Sequence, residues 1–368
     1  MQPKSLLPLT FATMAAAASS LSSVLKANND TLSTLISLLD RLPAVHEMLS
    51  SARDITVFAP SNEAFDRMKQ ADPSFAEKAT NVTFVSNLLM YHVVTGKNTA
   101  NMFSELPKFP PTKLETPTAN ITGNQKVELV RKRGKAVVYS GFKQMSAISK
   151  PDIAFSGGVL HVIDSVLTLP GTPFETAMDT GLTSMAGALM RAGLADGINT
   201  LQAATVFAPT NDAFQAIGAT VASMEPQDLG KILQYHILTN QVRFSSGVTM
   251  KMGYKSLMGV KVTLRKQDGK IFANSARVTT PDVITSAGVM HVIDNVLNPE
   301  SPKLTPGSAH NTSKVAFTGA VAAANAPFTD GVRPNASFIL DSAATRRASI
   351  SLTSGWLSAL GCLVAIYL

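Results

Sequence analysis

Cysteine is nearly absent from this chain. Of 368 residues one is cysteine, Cys362, and it lies in the apolar stretch that ends the sequence. A disulfide-stapled fold is therefore excluded, and so are thiol catalysis and zinc–thiolate sites upstream of that tail. Domains of roughly 130 to 150 residues bury enough apolar surface to stand without such staples. Catalytic and ligand-loop motifs are missing as well: there is no G-x-S-x-G elbow, no G-x-G-x-x-G, no P-loop, no EF-hand loop and no Arg-Gly-Asp. His46-Glu47 is followed by Met48-Leu49-Ser50, which does not complete a zinc-binding H-E-x-x-H helix. No catalytic, metal or cofactor residue is therefore assigned. Charge of one sign is also scarce. The net charge is +7, and Lys4, Arg346 and Arg347 in the terminal segments supply three of it. So mild an excess does not suggest a nucleic-acid binder.

What the chain does contain is one pattern written twice. Thr56-Val57-Phe58-Ala59-Pro60-Ser61-Asn62-Glu63-Ala64-Phe65 returns as Thr205-Val206-Phe207-Ala208-Pro209-Thr210-Asn211-Asp212-Ala213-Phe214. A β-branched and aromatic run stopped by proline reads as a buried strand. Ser61 and Thr210 then suit the N-cap of a helix, with Glu63 and Asp212 in its first turn where the helix dipole favours an anion. Phe65 with Met68, and Phe214 with Ile217, share the inward face. Tyr91-His92-Val93-Val94-Thr95 recurs as Tyr235-His236-Ile237-Leu238-Thr239, and Lys126-Val127-Glu128-Leu129 as Lys261-Val262-Thr263-Leu264. Pro151-Asp152-Ile153 recurs as Pro281-Asp282-Val283, and Gly158-Val159-Leu160-His161-Val162-Ile163-Asp164 as Gly288-Val289-Met290-His291-Val292-Ile293-Asp294. Five blocks in one order, twice, mean two tandem domains of one fold.

These blocks resemble the fasciclin domain, over roughly residues 20 to 299. Its two family motifs look like the Thr-Val-Phe-Ala-Pro and Gly-Val-x-His-Val-Ile-Asp blocks, with a Tyr-His pair between. The resemblance implies an α+β fold, two fasciclin-like domains each a wedge of strands packed with several helices. It also implies a secreted or cell-surface setting of fungal type. The implied role is non-enzymatic: adhesion or matrix contact with cell-surface or wall glycans or proteins. An alternative it also implies is a secreted accessory of extracellular pigment biosynthesis, assisting a laccase-type oxidase in phenol coupling, so that secreted oxidases would be the partners.

The termini fit an extracellular destination. Residues 1–18 carry Lys4, an apolar run and Ala16-Ala17-Ala18, the pattern of a secretory signal. Residues 19–170 form the first domain and 171–299 the second. Helical spacing runs through Leu32, Leu35, Ile36 and Leu39, and a proline-rich surface loop is expected over 101–122. Residues 300–341, rich in Pro, Ser, Thr, Ala, Asn and Gly without apolar periodicity, read as a disordered, O-glycosylated stalk. In 342–368 a polar spacer and the apolar run Trp356–Leu368 follow the small residues Ser342-Ala343-Ala344, which fits a glycolipid-anchor signal attached at Ser342 and holding the protein to the outer leaflet. A permanent membrane span would put Arg346 and Arg347 on the outer side, against the positive-inside rule. Sequons stand at Asn29, Asn81, Asn120, Asn311 and Asn335.

Two sets of side chains invite a role in contact. Lys126, Arg131, Lys132, Arg133 and Lys135 crowd a predicted hairpin whose turn holds Gly134; they read either as a solvated edge that discourages strand pairing or as a contact for anionic glycans or lipid headgroups. The Tyr91-His92 and Tyr235-His236 pairs fall where the resemblance implies receptor contact, though their apolar flanks also suit a core. His161 and Asp164 lie three apart on a strand and so point to opposite faces, which denies them a local dyad and leaves backbone groups as their partners.

Overall fold

The computed structural model describes residues 19–115, 124–307, 313–335 and 338–340. The leader and the anchor signal lie outside the described residues, as do Asn120, Asn311 and Ser342. The first domain opens with helices α1 (Leu21–Ala27), α2 (Asn29–Asp40) and α3 (Pro43–Ser51), then strand β1 (Ile55–Pro60). Helices α4 (Asn62–Ala71), α5 (Phe75–Lys78) and α6 (Val82–Tyr91) follow, with strands β2 (Val93–Thr95), β3 (Glu128–Lys132), β4 (Lys135–Tyr139), β5 (Met145–Phe155) and β6 (Gly158–Ile163). The second repeats this with α7 (Pro173–Asp179), α8 (Thr183–Arg191), α9 (Ala195–Asn199), β7 (Ala204–Pro209), α10 (Asn211–Gln215), α11 (Gly218–Ala222) and α12 (Pro226–Tyr235). Strands β8 (Ile237–Leu238), β9 (Met252–Lys255), β10 (Lys261–Gln267), β11 (Lys270–Ala273), β12 (Ala276–Thr285) and β13 (Gly288–Ile293) complete it. Strand order is β2-β1-β6-β5-β4-β3 in one sheet and β8-β7-β13-β12-β11-β10-β9 in the other.

Each motif builds a definite piece of this frame. The Thr-Val-Phe-Ala-Pro runs are β1 and β7, buried along their whole length. Each pairs in parallel with the Gly-Val-x-His-Val-Ile strand of its own domain. Close approach explains the leading glycine of that strand. A Cβ on Gly158 would fall 1.8 Å from Ile55 O, and one on Gly288 would fall 2.0 Å from Ala204 O. Beyond the proline, Ser61 Oγ accepts from Ala64 N at 3.2 Å and Thr210 Oγ1 from Ala213 N at 3.1 Å, the expected N-caps. Phe65 and Phe214 are buried beneath. The hairpin turns Arg133-Gly134 and Asp268-Gly269 all have positive φ, the two-residue turn that matches strand twist.

Two expectations need revision. The proline-rich stretch 101–122 is not simply a surface loop. Lys108 bridges Leu129, Thr112 bridges Val94, and Thr112 and Leu114 are buried. Phe109 stacks on Phe244 of the second domain with ring centroids 3.9 Å apart. Nor is 300–341 a disordered stalk throughout. Ala316 and Val332 are buried, and Phe317, Ala320, Phe328 and Leu340 pack against the second core. The segment lacks its own hydrophobic period because it forms no element; it gains order by lying on α8, α10 and α11.

The domains also meet through polar groups. Gln125 Nε2 donates to Thr285 O at 3.1 Å, and Lys143 Nζ to Asp282 O at 3.1 Å. Lys143 pairs at 2.5 Å with Glu128, whose side chain is only 5 % exposed.

Candidate functional site

The tyrosine–histidine pairs end α6 and α12, and the helices turn them inward. Tyr91, His92, Tyr235 and His236 are all buried. Tyr91 donates its hydroxyl to Lys126 O and Tyr235 to Lys261 O, each at 3.0 Å, which ties the helix end to the start of the hairpin. Burial pushes both phenols up. His92 Nδ1 donates to Leu88 O at 2.7 Å while its Nε2 accepts from Leu167 N at 2.8 Å. His236 does the same with Ile232 O and Leu297 N, at 2.8 and 2.9 Å. An imidazole that gives at Nδ1 and receives at Nε2 is neutral. Burial pushes both rings down to about 4. The expected partner contact at these four residues is therefore corrected: they are interior braces with no free face.

His161 and His291 show the opposite tautomer. Their Nδ1 atoms accept from Asp152 N at 3.1 Å and Asp282 N at 3.2 Å, and their Nε2 atoms donate to Asn98 O at 2.8 Å and Arg243 O at 2.7 Å. Burial pushes both down. The aspartates have φ of 58° and 60°, at bulges in β5 and β12. Asp152 Oδ1 in turn holds Ala100 N at 2.9 Å, and Asp282 Oδ1 holds Ser245 N at 2.7 Å. Asp164 and Asp294 cap Ala147 N and Arg277 N, each at 2.8 Å. Among the described residues no group of three metal-ligating side chains gathers.

The basic hairpin divides. Arg131 is a structural residue, donating to Phe103 O at 3.0 Å, Ala100 O at 2.7 Å and Gly134 O at 2.9 Å, which removes it from the predicted contact set. Lys132, Arg133 and Lys135 are exposed, and Lys132 faces Lys135 directly across the ladder. Asn29, Asn81 and Asn335 are exposed too. Asn81 caps α6 through Oδ1, which receives Phe84 N at 3.1 Å.

A sizeable cleft also opens that no motif in the sequence marks. It has a volume of about 680 Å³ and lies beside the first domain's helices. Ala64, Arg67, Met68 and Ala71 supply one stripe of α4, Phe75 and Lys78 come from α5, and Phe84 and Leu88 from α6. Chain 165–169 forms the floor, with Phe142 and Phe338 opposite, their rings stacked at 4.5 Å. Its charges are largely matched. Lys78 pairs with Asp72 at 2.8 Å, and the Lys78 hydrogen bond holds that carboxyl below its usual range. The Arg67 guanidinium donates to Asp164 O. Burial pushes Asp179, at the far wall, up. No signal of local spacing marks the cleft, because its walls come from residues far apart in the chain.

Known proteins resemble this chain over most of its length. A fasciclin-like arabinogalactan protein of Arthroderma benhamiae is 32% identical over 303 residues, covering 82% of this chain and 72% of that one. The fasciclin-like arabinogalactan protein elcF of Phaeosphaeria nodorum is 32% identical over 277 residues, covering 75% and 87%. The human protein periostin is 26% identical over 275 residues, 70% of this chain and 30% of its own. A solved FAS1 domain pair from the insect cell adhesion molecule fasciclin I aligns over 75% of this chain and 100% of its own, at 19% identity and a TM-score of 0.37. The sequence model of the family described as Fasciclin domain matches residues 30–170 and again residues 180–299. The chain belongs to the fasciclin family and carries its domain in two tandem copies.

Proposed function

We propose that this is a glycosylated protein of the cell surface that works by binding, contacting surface or wall glycans or proteins through its exterior. One observation carries the reading: the repeated Tyr, His and Asp side chains, the chain's strongest candidates for chemistry, are engaged with backbone groups inside both domains. What is written twice is scaffold, and the outside is left to do the work. The exposed sequons Asn29, Asn81 and Asn335 and the exposed Lys132, Arg133 and Lys135 support it. So do relatives named as arabinogalactan proteins, a term that denotes glycoproteins. The signal pattern of 1–18 and the anchor pattern around Ser342 complete it, with a lipid holding the mature chain to the outer leaflet.

The test is expression of the full chain in a secretory fungal host. Antibody should label intact, unpermeabilised cells, and an anchor-specific phospholipase should release the protein. Enzymatic removal of N-glycans should increase its gel mobility, and the released protein should co-sediment with purified wall material. Retention inside the cell, or an unglycosylated protein that ignores wall material, would overturn the reading.

A further inference from the structure

The two repeats differ in how one face of the fold is covered. In the second, residues 313–335 lie across α10, α11 and the chain after β13. Asn298 Nδ2 donates to Ala316 O at 3.1 Å, and Val321 N donates to Thr220 Oγ1 at 3.2 Å. Ala219 N donates to Val321 O at 3.0 Å, and Ala323 N to Gln215 O at 2.9 Å. Phe317 and Ala320 pack on the core below, and Phe328 meets Phe214 edge-on at 6.2 Å. The helices are reduced to glycine where the segment crosses them. A Cβ on Gly218 would fall 2.5 Å from Ala323 Cβ, and one on Gly187 would fall 1.7 Å from Phe328 O.

The corresponding positions of the first repeat can be placed by sequence, although one continuous helix, α4, stands there in place of α10 and α11. Aligning Phe65 with Phe214 and His161 with His291 places Ala71 at the position of Thr220 and Thr168 at that of Asn298. Both line the cleft of about 680 Å³. So the positions that hold the 316–321 stretch in one repeat border an open cleft in the other, of a size that suits a bound group. Farther along the path the likeness ends. Lys69 stands where Gly218 does, so an occupant would fill the cleft without crossing α4.

We propose that this cleft is the docking groove for a short, extended, uncharged segment of a partner protein, carrying a phenylalanine among small residues as Ala316-Phe317-Thr318-Gly319-Ala320-Val321 does. The Phe75, Phe84 and Phe142 walls receive the ring. The cleft's own charges suit an uncharged occupant, since its two cations, Arg67 and Lys78, are matched in number by Asp72 and Asp179, and Lys78 is paired directly with Asp72. The proposal narrows the binding role given above to a protein partner and rests on that reading.

A fluorescent peptide of residues 315–324, capped at both ends and so uncharged, tests it, titrated into the full chain and followed by anisotropy. Saturable binding of one peptide per chain is expected. It should weaken about tenfold or more when Phe317 of the peptide is replaced by serine, or when the protein carries Ala71→Arg. Ala71 is exposed at the end of α4, so thermal melting checks that this variant stays folded. No saturation, equal binding of a scrambled peptide, or binding that survives Ala71→Arg would overturn the proposal. Survival would mean that the peptide exchanges with the chain's own segment on the second repeat. The titration involves no wall material, so its failure leaves the wall-binding assay unaffected, and the reverse also holds.

Discussion

His92 Nε2 accepts the Leu167 N–H at 2.8 Å across 75 residues of sequence, tying the end of α6 to the chain that leaves β6. His236 makes the same tie to Leu297. A second proton on either ring would have to sit against an N–H donor in a dry interior. Both rings therefore lie near 4 folded, against about 6.5 for an unperturbed histidine.

The sign of the pH dependence follows. The unfolded chain takes up these protons first as pH falls, so stability is fully present above about 6.5 and declines toward 4. The loss is on the order of 3 kcal/mol per ring at the lower end. Urea unfolding between pH 7.5 and 4.5 should show the midpoint falling. His92→Gln, whose Oε1 can still accept from Leu167 N, should lose part of that slope. A slope unchanged by both this variant and His236→Gln would remove the histidines from the explanation.

Phe65 and Phe214 sit directly below the strand-to-helix corners and are 1% and 0% exposed. Truncation of either to alanine removes a ring from a closed core and should cost about 3–5 kcal/mol. Chemical denaturation of each variant measures it. Losses under about 1 kcal/mol, the range of surface changes, would contradict the packing.

Those corners were legible in the sequence because every signal was local: a proline to stop the strand, a hydroxyl to cap the helix, and an acid beside it. The hairpin that turns at Gly134 was legible for the same reason. Tyr91 and His92 were ambiguous, since apolar neighbours suit both a core and a contact patch; only the Lys126 and Leu167 backbone, brought close by the fold, settles them. Composition misleads over 313–335 because the order of this segment comes from a surface built by other residues. Composition reports what a segment can bury by itself, and this one buries little alone. The cleft was invisible for a related reason, its walls being drawn from α4, α5, α6 and residues beyond 140.

Glu128 and Lys143 form a nearly buried pair at 2.5 Å, and Lys143 also reaches Asp282 O in the second domain. Lys143→Met would leave the Glu128 carboxylate buried and unpartnered, a loss of about 3–5 kcal/mol. Adding Glu128→Gln should recover most of it. Because the lysine spans the domains, calorimetry should also show the transitions of Lys143→Met separating. A single variant as stable as the parent, or a double variant worse than the single, would show that the pair does not matter.

Gly187 lies inside α8, where alanine ordinarily stabilises a helix by about 1 kcal/mol over glycine. Here the added methyl would point at Phe328 O, 1.7 Å away, and backbone cannot swing aside as a side-chain tip can. Gly187→Ala must then displace the 313–335 segment or strain the helix, and should destabilise by about 1–3 kcal/mol, as overpacking does. In a chain truncated after residue 299 the obstacle is gone, and the same substitution should be neutral or stabilising. Thermal melts of the four proteins, each length with and without the substitution, read both effects. If Gly187→Ala stabilises the full chain as much as the truncated one, the segment does not lie on α8, and the account of the second repeat's covered face fails with it.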